Sequence, residues 1–207
     1  MGFANYTELQ AEVKGWLMDR DDLVAKIPSF ILLAEADLND RIRHRKMIKR
    51  SRLAGVTTSR IPLPDDWLEA RNVELYLGDR PSRLRYASDE NLDEIRDRQS
   101  STLTPTHYAI VGEELELVPA PSSVTIEMIY YASIPALVLA GTNWLLTTRP
   151  DVYLYGTLMH SAPYLEDDAR VSIWSAGYER AVATLNNADK VARTSGGPLT
   201  RRLRSYG

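Results

Sequence analysis

Residues 27–42 read IPSFILLAEADLNDRI, and this stretch decides the fold more than any other part of the chain. Its apolar side chains recur at intervals of three and four residues, which is the spacing of one face of an α-helix. They are Phe30, Ile31, Ala34, Leu38 and Ile42. Pro28 suits the first helical turn. The pattern predicts an amphipathic helix over residues 28–45 that ends in a run of cations.

Helical periodicity occurs at both ends of the chain. Residues 7–18 carry an apolar stripe and predict a first helix. After Thr148 the same spacing predicts a helix over residues 150–163, which Pro163 must kink or end, and a longer helix over residues 168–190. The stripe of the last helix consists of Val171, Trp174, Tyr178, Ala181, Val182, Leu185 and Ala188.

The middle of the chain, residues 47–140, is punctuated by glycine and proline and contains short alternating or β-branched segments. This composition predicts a β-rich region. Within it, residues 64–68 and 89–98 have the pattern of short helical insertions with acidic first turns.

One hairpin is predicted in detail within this region. Residues 108–117 read YAIVGEELEL, and Gly112 permits the positive φ that the turn needs. Leu115 and Leu117 then face a core, and the alternating glutamates lie on the opposite side.

Together these signals predict an α+β fold. The N- and C-terminal helices pack as a helical bundle, and the β-rich region lies between them in the sequence. A length of 207 residues suits one large domain or two small ones, and we expect one domain over residues 1–192. Residues 193–207 have no periodicity and contain helix breakers, so we expect an extended C-terminal arm.

The composition excludes several classes of protein. Hydrophobic residues make up 44% of the chain and charged residues 26%, so disordered and collagen-like classes are excluded. The absence of cysteine removes disulfide scaffolds, thiol catalysis and iron–sulfur clusters. The longest apolar stretch, residues 134–146, is interrupted and too short to span a bilayer, so we expect no membrane partner.

Charge is strongly segregated along the chain. The first basic run has seven cations and no carboxylate: Arg41, Arg43, Arg45, Lys46, Lys49, Arg50 and Arg52. The second contains Lys190, Arg193, Arg201, Arg202 and Arg204. Removing these twelve from the 25 cations leaves 13 against 28 anions. The molecule is therefore an acidic body with two basic attachments.

We interpret both basic runs as contacts for acidic protein surfaces. Two alternatives stay open: a solvated helix end followed by a disordered tail, and direct binding of phosphate groups. A nucleic-acid-binding protein usually has a high pI, whereas the pI here is about 5.7.

No residue pattern indicates catalysis or metal binding. His44, His107 and His160 lie in separate segments without the spacing of metal ligands. Phosphate-binding glycine loops and the serine nucleophile motif are absent from the sequence. Adjacent carboxylates, as at residues 65–66 and 166–168, are explained by helix caps and turns. We therefore predict no catalytic residue, no metal site and no cofactor.

Seven stretches spread over nearly the whole chain carry a family resemblance. They are residues 6–9 (YTEL), 27–43, 61–68 (IPLPDDWL), 115–121 (LELVPAP), 129–132 (IYYA), 143–146 (NWLL) and 150–156 (PDVYLYG). In order and spacing they resemble the head-to-tail adaptor proteins of tailed bacteriophages, also called connector or gatekeeper proteins. The tail tubular A proteins of short-tailed phages are similar in layout.

The resemblance implies a structural virion protein that is not an enzyme. It implies a ring, commonly of twelve copies, in which the helical bundle is the ring-forming part. The ring docks on the portal protein and connects the capsid to the tail or nozzle. Double-stranded DNA would pass through its channel. Such a protein is made in the host bacterial cytoplasm and ends at the head–tail interface of the virion.

The resemblance also implies that the C-terminal arm reaches along the portal. The candidate portal contacts are then Arg193, Leu199, Arg201, Arg202, Leu203, Arg204 and Tyr206.

Two other functions stay open at this point. One is a DNA-binding packaging or regulatory protein that uses residues 41–52 as its phosphate contact. The other is a hydrolase that uses one of the acidic pairs, for which divalent-metal binding would be the first sign.

Overall fold

The computed structural model describes residues 3–98, 104–165 and 169–194. Helices occur at both ends of the chain and strands in the middle, which confirms the α+β class. The contacts divide the chain into two units. The helical unit combines the residues up to Lys46 with those from Ile134 onwards, and the sheet unit is Met47–Ser133.

In the part of the chain that the structure describes, the helical unit contains seven α-helices and the sheet unit one. They are α1 (Tyr6–Trp16), α2 (Asp21–Val24), α3 (Ile27–Arg41), α4 (Asp89–Arg98), α5 (Leu137–Ala140), α6 (Trp144–Thr148), α7 (Pro150–His160) and α8 (Arg170–Thr194). α4 lies in the sheet unit and confirms the helical insertion predicted at residues 89–98.

The first two long helices end at different residues from those predicted. α1 begins at Tyr6 because the side chain of Asn5 accepts a hydrogen bond from the backbone N–H of Glu8 (2.9 Å) and caps the helix. α3 stops at Arg41 and not at residue 45, because Ile42 is extended (φ −105°, ψ 131°) with its side chain fully buried. A short 3₁₀ turn at Arg45–Met47 then leads into the sheet unit.

The later helices also differ at their ends. α7 stops at His160 and is followed by a 3₁₀ turn at Ala162–Tyr164, because Pro163 lacks the N–H that a continuing helix needs. α8 is described from Arg170 and continues to Thr194, four residues beyond the predicted end. The predicted cap at residues 166–168 lies outside the described residues.

α7 contacts α1, α3, α6 and α8. Gly156 permits the close approach of α7 to α3 and α8, because it has no Cβ. A Cβ at this position would lie 3.0 Å from Cε2 of Tyr178 and 3.4 Å from Cβ of Ala34. The predicted stripes are mostly buried, as Leu38 and Trp174 show. Trp16 differs: it is 39% exposed and sets its ring edge-on to Tyr155.

The sheet unit contains two four-stranded sheets. The strands are β1 (Ile48–Val56), β2 (Arg60–Pro62), β3 (Trp67–Leu77), β4 (Arg80–Arg83), β5 (Arg85–Tyr86), β6 (His107–Val111), β7 (Glu114–Val118) and β8 (Val124–Ala132). The first sheet has the order β1-β8-β3-β4, and the second has the order β2-β7-β6-β5. Neighbouring strands are antiparallel except for β5 and β6.

The β6–β7 hairpin confirms the prediction for residues 108–117. Gly112 has φ +60° in the turn, and Leu115 and Leu117 are buried. Glu116 was expected on an open side but is also buried. Its carboxylate pairs with Arg96, because α4 packs over this side of the hairpin.

The helical insertion predicted at residues 64–68 is wrong. The backbone N–H of Trp67 donates to the carbonyl of Pro64 (2.9 Å), which closes a single turn, and β3 begins at Trp67. The proline and two aspartates therefore start a turn that enters a strand, which is a common use of these residues.

Candidate interaction surfaces

The structure divides the first basic run between the two units. Arg41, Arg43, Arg45 and Lys46 belong to the helical unit, and the other three cations lie on β1 in the sheet unit. Each part of the run is held by contacts within its own unit.

Arg41 braces α3 against α8. Its guanidinium pairs with Asp37 one turn earlier (2.9 Å) and with Glu179 of α8 (2.6 Å). It also lies 5.6 Å from the centre of the Tyr178 ring. The hydrogen bond to Glu179 is the main cause that raises the pKa of Arg41. A residue predicted as an outward contact is therefore also an internal brace.

The buried carboxylate of Asp189 on α8 fastens the segment that follows α3. Its Oδ1 accepts a hydrogen bond from the backbone N–H of Arg45 (3.2 Å), and its Oδ2 pairs with Arg193 (2.7 Å). Arg193 also donates to the carbonyl of Arg43 (3.0 Å). The sequence analysis placed Arg193 in the C-terminal arm, but in the structure it is a residue of α8.

His44 is buried beside this contact. Its ring stacks on Trp144 with 4.8 Å between centroids, and its Nδ1 accepts the backbone N–H of Lys46 (3.1 Å). Because Nδ1 accepts, the proton of the neutral ring is on Nε2, which lies 3.5 Å from Oδ1 of Asp189. Burial is the main cause that lowers the pKa of His44, although Asp189 opposes it. The two residues therefore form no ion pair at neutral pH.

The three cations on β1 also have partners. Lys49 pairs with Asp66 (2.5 Å), and Arg50 pairs with Glu127 (3.2 Å). The guanidinium of Arg52 lies 4.5 Å from the centre of the Tyr76 ring. Arg50 and Arg52 lie two residues apart on a strand, so they share one face of the first sheet.

Most side chains of the basic run are therefore anchored. Arg43 donates to the carbonyl of Asn39 at the end of α3 (2.5 Å), and Lys46 lies 5.5 Å from the centre of the Trp144 ring. Arg45 is exposed, and within residues 3–98, 104–165 and 169–194 its side chain forms no ion pair. The role of these cations in binding a partner stays a prediction.

Six candidate portal contacts lie outside the described residues: Leu199, Arg201, Arg202, Leu203, Arg204 and Tyr206. Their role also stays a prediction.

The sequence analysis missed an exposed apolar face on α3. Leu32 and Leu33 are 61% and 50% exposed, and Pro28 and Ala36 are exposed at the spacing of the same face. The signal was present in residues 30–34 (FILLA), which are five consecutive apolar residues. A helix that buries a single face needs only three apolar residues in such a stretch, so the other two lie on the exposed face. Exposed apolar side chains that lie together on one helix face form a candidate surface for contact with another protein.

The second missed surface is an open sheet edge in the sheet unit. β1 is one edge strand of the first sheet, and β2 is one edge strand of the second. A groove of about 140 Å³ lies beside them. Its lining includes Ser51 and Leu53 of β1, Ile61 and Pro62 of β2, and Ile126 and Met128 of β8. The sequence does not indicate β1 as a strand, because its cations interrupt the alternation of apolar and polar residues that is typical of strands.

A buried polar network holds the helical unit near α5 and α6. Glu35 of α3 accepts hydrogen bonds from the backbone N–H of Leu137 (2.8 Å) and from the hydroxyl of Tyr153 (3.4 Å). The amide of Asn143 donates to the same hydroxyl (2.7 Å), and its oxygen caps α6. Burial raises the pKa of Glu35. The network explains a carboxylate on a buried helix face without a catalytic role.

The residues that the structure describes include no candidate for a metal site or a membrane-spanning helix. There, no group of three or more histidine, aspartate or glutamate side chains is placed to hold a metal ion. The described helices also include none that is long and apolar enough to cross a membrane.

An exposed apolar helix face and an open strand edge are features of a protein that associates with other protein chains. The comparison with protein families names the kind of association. Residues 4–202 match the family model described as SU10 adaptor protein. The chain belongs to this family of phage head-to-tail adaptors, which confirms the resemblance drawn from the sequence. The family consists of structural phage proteins and is not a known class of enzyme. No curated protein matches the chain.

Proposed function

We propose that this protein is one subunit of a head–tail adaptor ring in a phage virion. The ring docks on the portal protein, connects the capsid to the tail or nozzle, and leaves a channel for double-stranded DNA. We propose twelve copies for the ring, synthesis in the host bacterial cytoplasm, and no enzymatic activity. The observation that carries the proposal is the match to the adaptor family over residues 4–202.

The helical unit supplies the contact between neighbouring copies in this proposal. α1, α3, α7 and α8 pack as a bundle, and Leu32 and Leu33 on the outer face of α3 meet the next copy. Complete burial of one leucine side chain is worth about 1.5–3 kcal/mol. A contact that is repeated head to tail closes into a ring when the rotation between copies allows it.

The C-terminal arm supplies the contact with the portal. Leu199, Leu203 and Tyr206 insert apolar side chains, and the arginines at positions 201, 202 and 204 pair with acidic portal groups. Arg193 anchors the base of the arm through Asp189. Because the arms of one ring act together, weak single contacts add to a durable attachment.

The acidic body has a role in DNA passage. Outside the two basic runs the chain has 28 anions and only 13 of its 25 cations. An acidic channel wall repels the phosphate backbone and lets duplex DNA slide. A channel lined mainly by lysine and arginine would show this part of the proposal to be wrong.

The DNA-binding alternative receives less support. Most cations of residues 41–52 have partners within the chain, such as Glu179 for Arg41 and Glu127 for Arg50. The alternative requires salt-dependent duplex binding that is lost when Arg43, Arg45, Lys46 and Lys49 are replaced by Glu. We expect the isolated protein to show no such binding.

Cosedimentation with the portal protein of the same phage tests the proposal. We expect the wild-type chain to sediment with the portal. The variant Leu33→Asp should stay folded by circular dichroism and lose assembly on the portal, because a carboxylate cannot be buried in an apolar contact. Leu139→Asp on α5 is the matched control, since Leu139 is also an exposed leucine (88%) but belongs to a different helix. A wild-type chain that does not attach, or equal behaviour of both variants, would contradict the proposal.

A further inference from the structure

In the part of the chain that the structure describes, no strand pairs with the outer edge of β1. β1 lies at one end of its sheet and pairs with β8. From Ile48 to Leu53 the pairing is in regular register. Beyond Leu53 the register shifts, and Gly55 has φ +69°, so the chain bends towards β2. A straight segment of residues 48–53 therefore presents backbone groups on which another strand can pair.

The groove beside β1 sets the chemistry of one face of an added strand. Side chains alternate between the two faces of a strand, so every second residue of the added strand would enter the groove beside Ser51 and Leu53. Ile61 and Pro62 form the wall on the β2 side, and Leu53 is 49% exposed at the groove. These walls favour aliphatic side chains.

Two arginines of β1 set the chemistry of the other face. Arg50 and Arg52 lie on that face at the very edge of the sheet, and the Arg50 side chain is 70% exposed. Like charges placed opposite each other across two strands are unfavourable, and opposite charges are favourable. A second copy of β1 is therefore disfavoured, because arginines would meet arginines. The chain's own basic segment, residues 201–204, is disfavoured for the same reason.

We infer that β1 binds an extended segment of a partner protein as an added strand, and that this segment alternates apolar and acidic residues. The apolar residues occupy the groove beside Leu53, and the acidic residues pair with Arg50 and Arg52. This mode of recognition, in which a peptide extends an open sheet, combines backbone hydrogen bonds with side-chain pockets. The inference goes beyond the proposed ring, because it needs neither the portal nor neighbouring copies.

A labelled peptide that alternates valine and glutamate tests the inference with the full chain. Fluorescence anisotropy should show binding of this peptide and weaker binding of a peptide with the same composition in two blocks. Leu53→Asp should lower the affinity for the alternating peptide by about tenfold or more. Leu77→Asp on β3 is the matched control, since Leu77 is 51% exposed and Leu53 49%. The control should change the affinity by less than about twofold.

Amide chemical shifts locate the bound peptide. We expect peptide-induced shifts at residues 48–53. The inference is overturned if no binding is detected up to about 1 mM peptide, if the block peptide binds equally well, or if both leucine variants weaken binding alike. It is also overturned if the shifts fall on β4, or if duplex DNA but not the peptide shifts the β1 amides. These results would leave the portal experiment unaffected.

Discussion

At Gly156, α7 approaches α3 and α8 closely. Replacement by Ala places a Cβ 3.0 Å from Cε2 of Tyr178, and the Tyr178 ring cannot easily move because its hydroxyl donates to Asp37. We expect Gly156→Ala to lower the free energy of unfolding by about 1–2 kcal/mol in urea titrations, even though alanine favours the helix.

Gly15 provides the matched control for this prediction. It is also helical, but a Cβ there would meet nothing within 4 Å. Gly15→Ala should therefore raise the free energy of unfolding by about 0.5–1 kcal/mol through helix propensity alone. Equal effects of the two substitutions would show that the close approach at Gly156 is not a constraint.

Glu35 gives a prediction about pH. Burial raises its pKa in the folded chain above the ordinary value of 4.5. The stability that Glu35 contributes is therefore fully present below pH 4.5 and is lost as the pH rises through the folded pKa. Glu35→Gln keeps an oxygen that can accept from Leu137 and Tyr153 and carries no charge.

Urea titrations of the wild type and of Glu35→Gln, at pH values below and above 4.5, measure how the stability of each protein depends on pH. The variant should become more stable relative to the wild type as the pH rises above 4.5. A constant difference between the two proteins at every pH would mean that the carboxyl of Glu35 titrates as it does in the unfolded chain.

At the scale of elements, α3 has one buried and one exposed apolar face, and the two can be separated by mutation. Leu38 is completely buried, whereas Leu33 on the same helix is 50% exposed. We expect Leu38→Ala to lower the free energy of unfolding by about 2–5 kcal/mol because it opens a cavity.

Leu33→Ala is the control on the same helix. It should change the free energy of unfolding by less than about 0.5 kcal/mol, because an exposed side chain loses little burial. Similar losses for Leu33 and Leu38, measured by the same urea titrations, would show that the two faces of α3 are assigned incorrectly.

The elements that the sequence predicted best have strong local signals. The stripe of α8 and the β6–β7 hairpin depend on periodicity and on Gly112, which act over a few residues. The predicted end of α3 was wrong, and β1 lies in the predicted β-rich region but was not predicted as an individual strand. Both depend on contacts that Ile42 and the cations of β1 make with distant parts of the chain.

The candidate surfaces also depend on contacts between distant parts of the chain, which the sequence does not show. The sequence displays Arg41 and Arg193 as cations but conceals their distant partners, Glu179 and the carbonyl of Arg43, which lie 138 and 150 residues away. The apolar outer face of α3 could have been predicted from residues 30–34. The groove beside β1 could not, because it is formed by residues of four strands that meet only in the folded chain.

At the scale of the whole molecule, folding and attachment should be separable. The sequence of residues 195–207 has no helical periodicity, so deletion of these residues should leave the helical content unchanged by circular dichroism. Attachment to the portal in cosedimentation should become much weaker, because Leu199, Leu203, Tyr206 and three arginines are lost. Unimpaired attachment of the truncated chain would disprove the proposed role of the arm.

The charge of the whole molecule bears on the same assembly. The net charge of −3 is small, so attraction between copies is opposed only weakly by overall repulsion. In the proposed ring, the position of the acidic residues relative to the ring axis would decide how DNA passes.

Imaging the protein bound to its own portal by electron cryomicroscopy is the most direct measurement of the adaptor function. We expect a closed ring coaxial with the portal, with the outer face of α3 at each boundary between copies and an open central channel. Isolated copies scattered on the portal, or finished virions that lack the protein, would contradict the assignment of this chain as a ring subunit.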